Sequence, residues 1–311
     1  MAADIVFVVN PASANGRTRR RWRDLERSLR ARLGNTFDVR KTERPGHARE
    51  LARAALAVGA STIVSVGGDG TLNEVLNGFL DETGRPWSRN SCLGVLSVGT
   101  GADFVKTFHA PDTPDDLSKV LQDPSIRTID AGRCEFIGPD GPRSRYFVNV
   151  AEFGSGGAIV DRVNRSSKLL GGKVSFLLAI LRTLPQYRNT RVVYRADEGP
   201  RREAVVNDFV VANGRYFGAG LMPAPSADLE DGLFDVVIFG DIDFRTARRN
   251  LPALRRGEHL TLKDVSAFRC RSLAIESEGE MIDLDGEFVG RRPVRFDVLP
   301  KAVPILAAKE E

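Results

Sequence analysis

Apolar positions recur in two rhythms along this chain, and the rhythm changes near residue 126. In the first third, short β-branched runs alternate with stretches of helical period. Ile5–Asn10, Thr36–Lys41, Ser61–Val66 and Leu93–Val98 read as strands. Between them, Trp22, Leu25, Leu29 and Leu33 mark a helix over about 17–33. Leu51, Ala52, Ala55 and Leu56 share one face of Gly46–Ala57. Leu72, Val75, Leu76 and Phe79 fall at i, i+3, i+4 and i+7 of Thr71–Leu80. This alternation predicts an α/β N-terminal domain: a parallel sheet with helices on both faces.

From there to about residue 300 the chain is mostly strand text: Thr128–Phe136, Arg145–Ala151, Thr190–Ala196, Ala204–Ala212, Leu233–Phe239, Val265–Ser277, Glu280–Asp283 and Val294–Leu299. Helical stretches interrupt at about 155–184 and 244–256. Strands in quick succession predict a β-rich, antiparallel, sandwich-like C-terminal domain. No Gly/Ser linker marks the change. The expected division is 1–130 and 131–300, packed around a cleft, with 301–311 returning to the first domain.

The composition agrees with two ordinary domains. The chain has 311 residues, 42% hydrophobic and 28% charged, enough to bury a sizeable core without disulfides. The net charge of +4 permits an anionic partner and demands none. The Arg17–Arg23 run is the charged outer face of the helix that Trp22 and Leu25 anchor, so no nucleic-acid partner is expected. Cys92, Cys134 and Cys270 form no CxxC and read as free thiols in a reducing cytosol. Asp4 heads the first apolar run, which lacks the basic flank of a signal peptide, and no stretch approaches the length of a membrane span. A cytoplasmic protein is the expectation.

Three strand ends carry the candidate chemistry. Gly67-Gly68-Asp69-Gly70-Thr71 follows a strand and opens a helix. Glycines allow a sharp turn and close approach of a ligand, and the N–H groups of the following helix favour an anion such as a phosphate chain. Asp69 repels phosphate, so it would act through Mg²⁺ or by orienting loop residues. The same text also serves as a plain tight turn. Gly99-Thr100-Gly101 follows the strand ending at Val98, and Asn10-Pro11, with Ser13, Asn15 and Gly16 close behind, follows the first strand. Ligands of open α/β sheets bind at such carboxyl ends. The chain has no GxxxxGK[ST], and no GxGxxG after its first strand. Asp283, Asp285 and Glu287 would share one face of a strand, where crowded carboxylates raise one another's pKa or recruit a cation. Taken alone, these residues favour an edge strand turning its acidic face to solvent; the chemical reading gains only when they are joined to the glycine loops. Asp231-Gly232 is a turn signal that also suits an oxygen cage. The stretch 168–182, apolar with Lys168, Lys173 and Arg182 at its edges, suits either lipid contact or a core helix.

Taken together, these motifs resemble the diacylglycerol kinase catalytic-domain superfamily, and within it the bacterial diacylglycerol/lipid kinases related to sphingosine and ceramide kinases. The resemblance rests on Asn10-Pro11 with Gly16, on Thr42 before Gly46-His47-Ala48, on Gly67–Asn73-Glu74, and on Gly99-Thr100 with Asp103-Phe104. It continues through Asp231-Gly232-Leu233-Phe234-Asp235 and Asp285-Gly286-Glu287. It spans nearly the whole chain, whereas GGDGT alone is shared with NAD kinases. It implies an ATP-dependent lipid kinase, acting on diacylglycerol or a related hydroxyl lipid at the membrane surface, with the site in the cleft. Asn10, Thr42, Gly67, Gly68, Asp69, Gly70, Thr71, Asn73 and Thr100 would bind ATP. Asp285 would be the general base, supported by Glu287. Asp231, with the main-chain carbonyls of Asp228 and Leu233, would hold a structural Mg²⁺. The chain departs from the family's Gly-Thr-x-Asn-Asp-Phe at Ala102, which replaces the Asn. A peripheral membrane location follows from the resemblance, and a homodimer is left open. The competing readings are an NAD kinase-like enzyme and a non-catalytic lipid- or nucleotide-binding protein.

Overall fold

A computed structural model describes residues 4–98, 102–111, 113–138, 141–159, 183, 187–218, 220–279 and 281–308. Thr100, the segment 168–182 and most of the helical text at 155–184 lie outside these residues. The chain divides into two compact units: Met1–Asp130 with Pro300–Glu311, and Ala131–Leu299.

In the first unit, β1 (Ile5–Val9), β2 (Phe37–Lys41), β3 (Thr62–Gly67) and β4 (Cys92–Ser97) form a parallel sheet in the order β2-β1-β3-β4. The helices α1 (Arg17–Leu33), α2 (His47–Ala57) and α3 (Asp69–Phe79) are the crossovers, as the periodicity requires. Alternate residues of β1 face opposite sides. Phe7 and Val9 pack with Trp22 and Leu29 of α1, Phe37, and Leu117 of α5 (Pro114–Gln122). Phe7 lies 5.6 Å from the Trp22 ring and 4.9 Å from Phe37. Side chains of this size each contribute about 1.5–3 kcal/mol when fully buried, so this cluster fixes α1 although eight of its residues are arginines. A short α4 (Phe104–Thr107) precedes α5.

The second unit is antiparallel. Its strands are β5 (Ile126–Gly138), β6 (Gly141–Phe147), β7 (Val150–Gly154), β8 (Thr190–Ala196), β9 (Arg202–Val206), β10 (Asp208–Ala212), β11 (Phe234–Phe239), β12 (Val265–Cys270), β13 (Ser272–Ile275), β14 (Met281–Leu284) and β15 (Glu287–Leu306). One run is ordered β12-β11-β10-β7-β14-β15. From β15, further runs lead through β13 to β8 and β9, and through β5 to β6. Phe147, Phe153, Phe209, Phe234 and Phe296, drawn from both runs, fill the sandwich core. β15 starts here and ends in the first unit, where Ile305 pairs with Leu93 of β4. Helix α6 (Phe244–Arg256) is capped by Asp243, whose carboxylate accepts the Thr246 N–H, and stops at Gly257 in left-handed conformation.

Three stretches read as continuous strands are each two strands: Arg145–Ala151 breaks at Val148-Asn149, Ala204–Ala212 at Asn207, and Val265–Ser277 at Arg271. The three cysteines are free and buried.

Candidate active site

The nucleotide candidates gather where strand order reverses between β1 and β3, the crevice that open α/β sheets use for ligands. β1 is buried until it ends at Asn10, whose N–H still donates to the Val66 carbonyl at 2.9 Å. The Asn10 side chain then does two things. Its Oδ1 accepts the Ala12 N–H at 3.0 Å, turning the chain, and its Nδ2 donates to Thr71 Oγ1 at 3.0 Å. Asn10 thereby ties the loop after β1 to the start of α3. Thr42 sits beside it, its N–H donating to the Val9 carbonyl at 2.9 Å. Beyond Asn10, Ala14, Asn15 and Gly16 are all left-handed, with φ of 53°, 55° and 78°. For Ala14 and Asn15 that conformation is costly and must be held by its surroundings.

Gly67 is required by its neighbour: a Cβ there would lie 2.4 Å from Thr71 Oγ1. α3 starts in extended backbone at Gly68 with no side-chain cap; the Thr71 N–H already donates to the Gly68 carbonyl at 3.0 Å, and the N–H groups ahead of it at the helix start, which an α-helix leaves without intrahelical acceptors, suit an anion. The Asp69 carboxylate is turned away from that role. Its oxygens accept the N–H groups of Asp103 and Phe104 at 3.1 and 3.3 Å, and the Val98 N–H donates to the Gly67 carbonyl at 2.9 Å. Asp69 therefore organises the loop after β4, the second of the two roles its charge allowed. Ala102 in that loop is left-handed, with φ of 51°, a conformation that an asparagine tolerates better than an alanine. Asn73 is buried inside α3, where its side-chain oxygen accepts from Asn77 at 3.2 Å.

Glu74 has a role its sequence context did not disclose. Its carboxylate accepts the N–H groups of Gly46 at 2.8 Å and Ala48 at 3.0 Å, capping α2 from a neighbouring helix. This fixes the β2–α2 connection that carries Thr42. The signal was a glutamate one turn into a helix, which exposed glutamates also give.

In the second unit, Asp283, Asp285 and Glu287 do not share one strand face. Asp285 and Gly286 both have positive φ, 52° and 93°, and form the two-residue turn between β14 and β15. Crowding is produced by the hairpin instead. Three backbone N–H groups converge on the Asp285 carboxylate, from Val148, Asn149 and Val150 at 3.1, 3.0 and 2.9 Å. The break between β6 and β7 frees those donors for it. Asp283 is buried and its Oδ1 accepts the Gly286 N–H at 2.7 Å. Burial first, then the charges of Asp285 and Glu287, push its carboxyl up to about 7, against the lowering effect of Gly286. Glu287 is exposed opposite Leu284.

Asp228, Asp231 and Leu233 fall in one turn. Asp228 Oδ1 accepts the Glu230 N–H, and Asp231 Oδ1 accepts the Leu233 N–H, both at 3.0 Å. The second Asp231 oxygen pairs with the Arg269 guanidinium, whose Nε lies 3.4 Å from Asp235. Burial and then the Asp228 charge raise the Asp235 carboxyl. The donor chemistry suits a cation, but the cation on Asp231 is Arg269. Among the described residues no three His, Cys, Asp or Glu side chains are grouped to hold a metal ion.

The second unit also contains a cavity of about 310 Å³. Ala247, Leu251 and Leu254 line it from one face of α6, with Phe217, Leu221 and Ile159 among the other apolar walls. His259 is wholly buried in its wall, stacked on Phe239 at 5.5 Å, and burial lowers its pKa. Among the described residues, no helix is long and apolar enough to cross a membrane.

Residues 4–134 match the family described as the diacylglycerol kinase catalytic domain, and residues 149–307 match the YegS C-terminal NAD kinase beta sandwich-like domain. A diacylglycerol kinase of Mycobacterium tuberculosis is 31% identical over 263 residues, covering 83% of this chain and 81% of that protein. A diacylglycerol kinase of Staphylococcus haemolyticus is 27% identical over 307 residues, covering 98% and 88%. The fold is shared with a diacylglycerol kinase crystal structure from Bacillus anthracis strain Sterne, at a TM-score of 0.69 and 18% identity, covering 98% of this chain and 97% of that one. With both units matched and the identity spread over most of its length, the chain belongs to the diacylglycerol kinase family of lipid kinases.

Proposed function

We propose that the protein transfers the γ-phosphate of ATP to the free hydroxyl of diacylglycerol. The observation that carries the nucleotide half is the coupling of three strand ends: Asn10 bonded to Thr71, Thr42 bonded to the end of β1, and Asp69 bonded to the loop after β4. These contacts hold the first turn of α3 where a phosphate chain would meet its N–H groups. ATP would bind there, bringing Mg²⁺ on its phosphates as nucleotides commonly do.

Asp285 is the proposed base. Phosphoryl transfer asks the protein mainly to position groups and balance charge. Three backbone N–H groups fix the orientation of the Asp285 carboxylate, which a base on an attacking hydroxyl needs. Glu287, on the other side of the same two-residue turn, would support the site. The apolar cavity supports a lipid acceptor, since its size and lining suit hydrocarbon chains. The reading places the substrate at a membrane surface. Replacing Asp285 with Asn should lower kcat by about a hundredfold or more while ATP still binds, as measured by calorimetry. Turnover retained in that variant would remove Asp285 as the base.

A further inference from the structure

Asp285 is held by a short segment that is itself mostly outside the strands. Val148 and Asn149 lie between β6 and β7, and Val150 is the first residue of β7. Their three N–H groups meet the Asp285 carboxylate. A fourth bond runs the other way, from the Asp285 N–H to the Val150 carbonyl at 2.9 Å. Asp285 has a left-handed backbone, with φ of 52°, which persists only where the surroundings hold it. The orientation of its carboxylate is therefore only as fixed as residues 148–150 are. Among the described residues, the pairing of β6 ends at Phe147 and that of β7 begins at Val150, so no ladder holds Val148 and Asn149.

A second loop does. Asn213, wholly buried just after β10, donates from Nδ2 to the Val148 carbonyl at 2.8 Å. The N–H groups of Asn213 and Gly214 donate to the Asn149 carbonyl at 2.9 and 2.8 Å. The buried Asn149 side chain closes the clamp, its Nδ2 donating to the Tyr216 carbonyl at 2.6 Å. A carbonyl only accepts, so this contact fixes which way the amide points. Gly214 makes room for it, since a Cβ there would lie 2.1 Å from Asn149 Oδ1. Asn149 thus faces both ways: its own N–H is on Asp285 and its amide is on the 213–216 loop. Buried asparagines also serve simply to satisfy loop backbone. That role would cost stability, but it would not act through Asp285.

We propose that Asn149 is a positioning residue for phosphoryl transfer: its amide, locked onto the 213–216 loop, holds the N–H groups of 148–150 in place and so aims the Asp285 carboxylate at the acceptor hydroxyl. The inference rests on the reading of Asp285 as the base. Two variants release the clamp by different routes. Asn149→Ala removes the amide, whereas Gly214→Ala keeps it and pushes it off the Tyr216 carbonyl; should the first fail to fold, the second carries the same comparisons. Each should lower kcat with 1,2-dioctanoylglycerol about tenfold and leave KM for ATP and for the lipid within about twofold, because an aimed base counts in the transition state rather than in binding. The discriminating readout is residual turnover in the Asp285→Asn background, followed with labelled ATP. There either change should cost less than about twofold more, since a residue acting through Asp285 has nothing left to aim. Losses that multiply would mark a merely structural role and overturn the proposal, as would an unchanged kcat in both single variants. Amide exchange over 146–152, read by mass spectrometry, needs no turnover. It should be about tenfold faster in the variants than in the wild type, and unchanged exchange in folded variants overturns the clamp. Full turnover in Asp285→Asn alone would overturn the base reading and, with it, the catalytic role given to Asn149. The expected loss in Asp285→Asn, combined with multiplying losses or unchanged exchange, overturns the role of Asn149 only.

Discussion

Asp283→Asn tests the electrostatics of the β14–β15 hairpin through stability. In the folded protein, burial and the neighbouring charges of Asp285 and Glu287 push the Asp283 carboxyl from 3.8 up to about 7. The folded state therefore holds a proton that the unfolded chain releases above pH 4. The sign follows from linkage: stability is fully present below the unfolded pKa and falls as pH rises towards 7, after which the loss is constant. At about 1.4 kcal/mol per pH unit, the full loss is on the order of 4 kcal/mol. Asparagine keeps an oxygen for the Gly286 N–H and does not titrate. The gap in stability between Asp283→Asn and wild type should thus grow by about 3 kcal/mol between roughly pH 4.5 and pH 7.5. For a unit of this size that is a relative gain of roughly 6–12 °C in Tm. Thermal unfolding followed by near-UV circular dichroism across that range reads it directly. A gap that stays constant with pH, whatever its size, would refute the argument that Asp283 is a buried acid neutralised by its surroundings.

Two further outcomes follow from contacts in the sites. Asp69→Asn removes the charge and one acceptor from the pair of N–H groups at Asp103 and Phe104; at about 1.5 kcal/mol for such a bond, the Kd for ATP measured by calorimetry should rise roughly tenfold, and an unchanged Kd would show that the loop after β4 does not position the nucleotide. If Arg269 is the cation that neutralises Asp231 and Asp235, the wild-type Tm should be the same with EDTA or with Mg²⁺, whereas Arg269→Met should lose roughly 3–6 °C and regain part of it with Mg²⁺; an equal response to Mg²⁺ in both proteins would contradict that role.

Much of the fold was legible because periodicity reports burial. α1 and α6 occupy the spans their patterns mark, and the β-branched runs of the first unit are its parallel strands. Two of the three missed breaks, at Val148-Asn149 and at Arg271, have a common cause: the residues at them look like strand, but their backbone groups are taken by distant side chains. Asp285 takes the N–H groups at Val148–Val150, and Asp197 takes those of Arg271 and Ser272 at 2.9 Å each. Local text carries no trace of a partner more than seventy residues away. α5 was legible and overlooked, since Thr113-Pro114-Asp115-Asp116 is a helix start and the Thr113 hydroxyl accepts the Asp116 N–H. At the site, glycine loops and Asp285 stood out because their residue types are unusual in strands and helices. At Gly67 the structure shows a packing requirement that the glycine pattern did not indicate, the closeness of Thr71.

The most direct test of the central claim is transfer of labelled γ-phosphate from ATP to lipids in mixed micelles with Mg²⁺, with diacylglycerol, a sphingoid base and ceramide as acceptors and NAD⁺ in a parallel reaction. The account predicts label in the organic phase with diacylglycerol as the best acceptor. Label on NAD⁺ alone, or ATP binding with no labelled product from any acceptor, would contradict it.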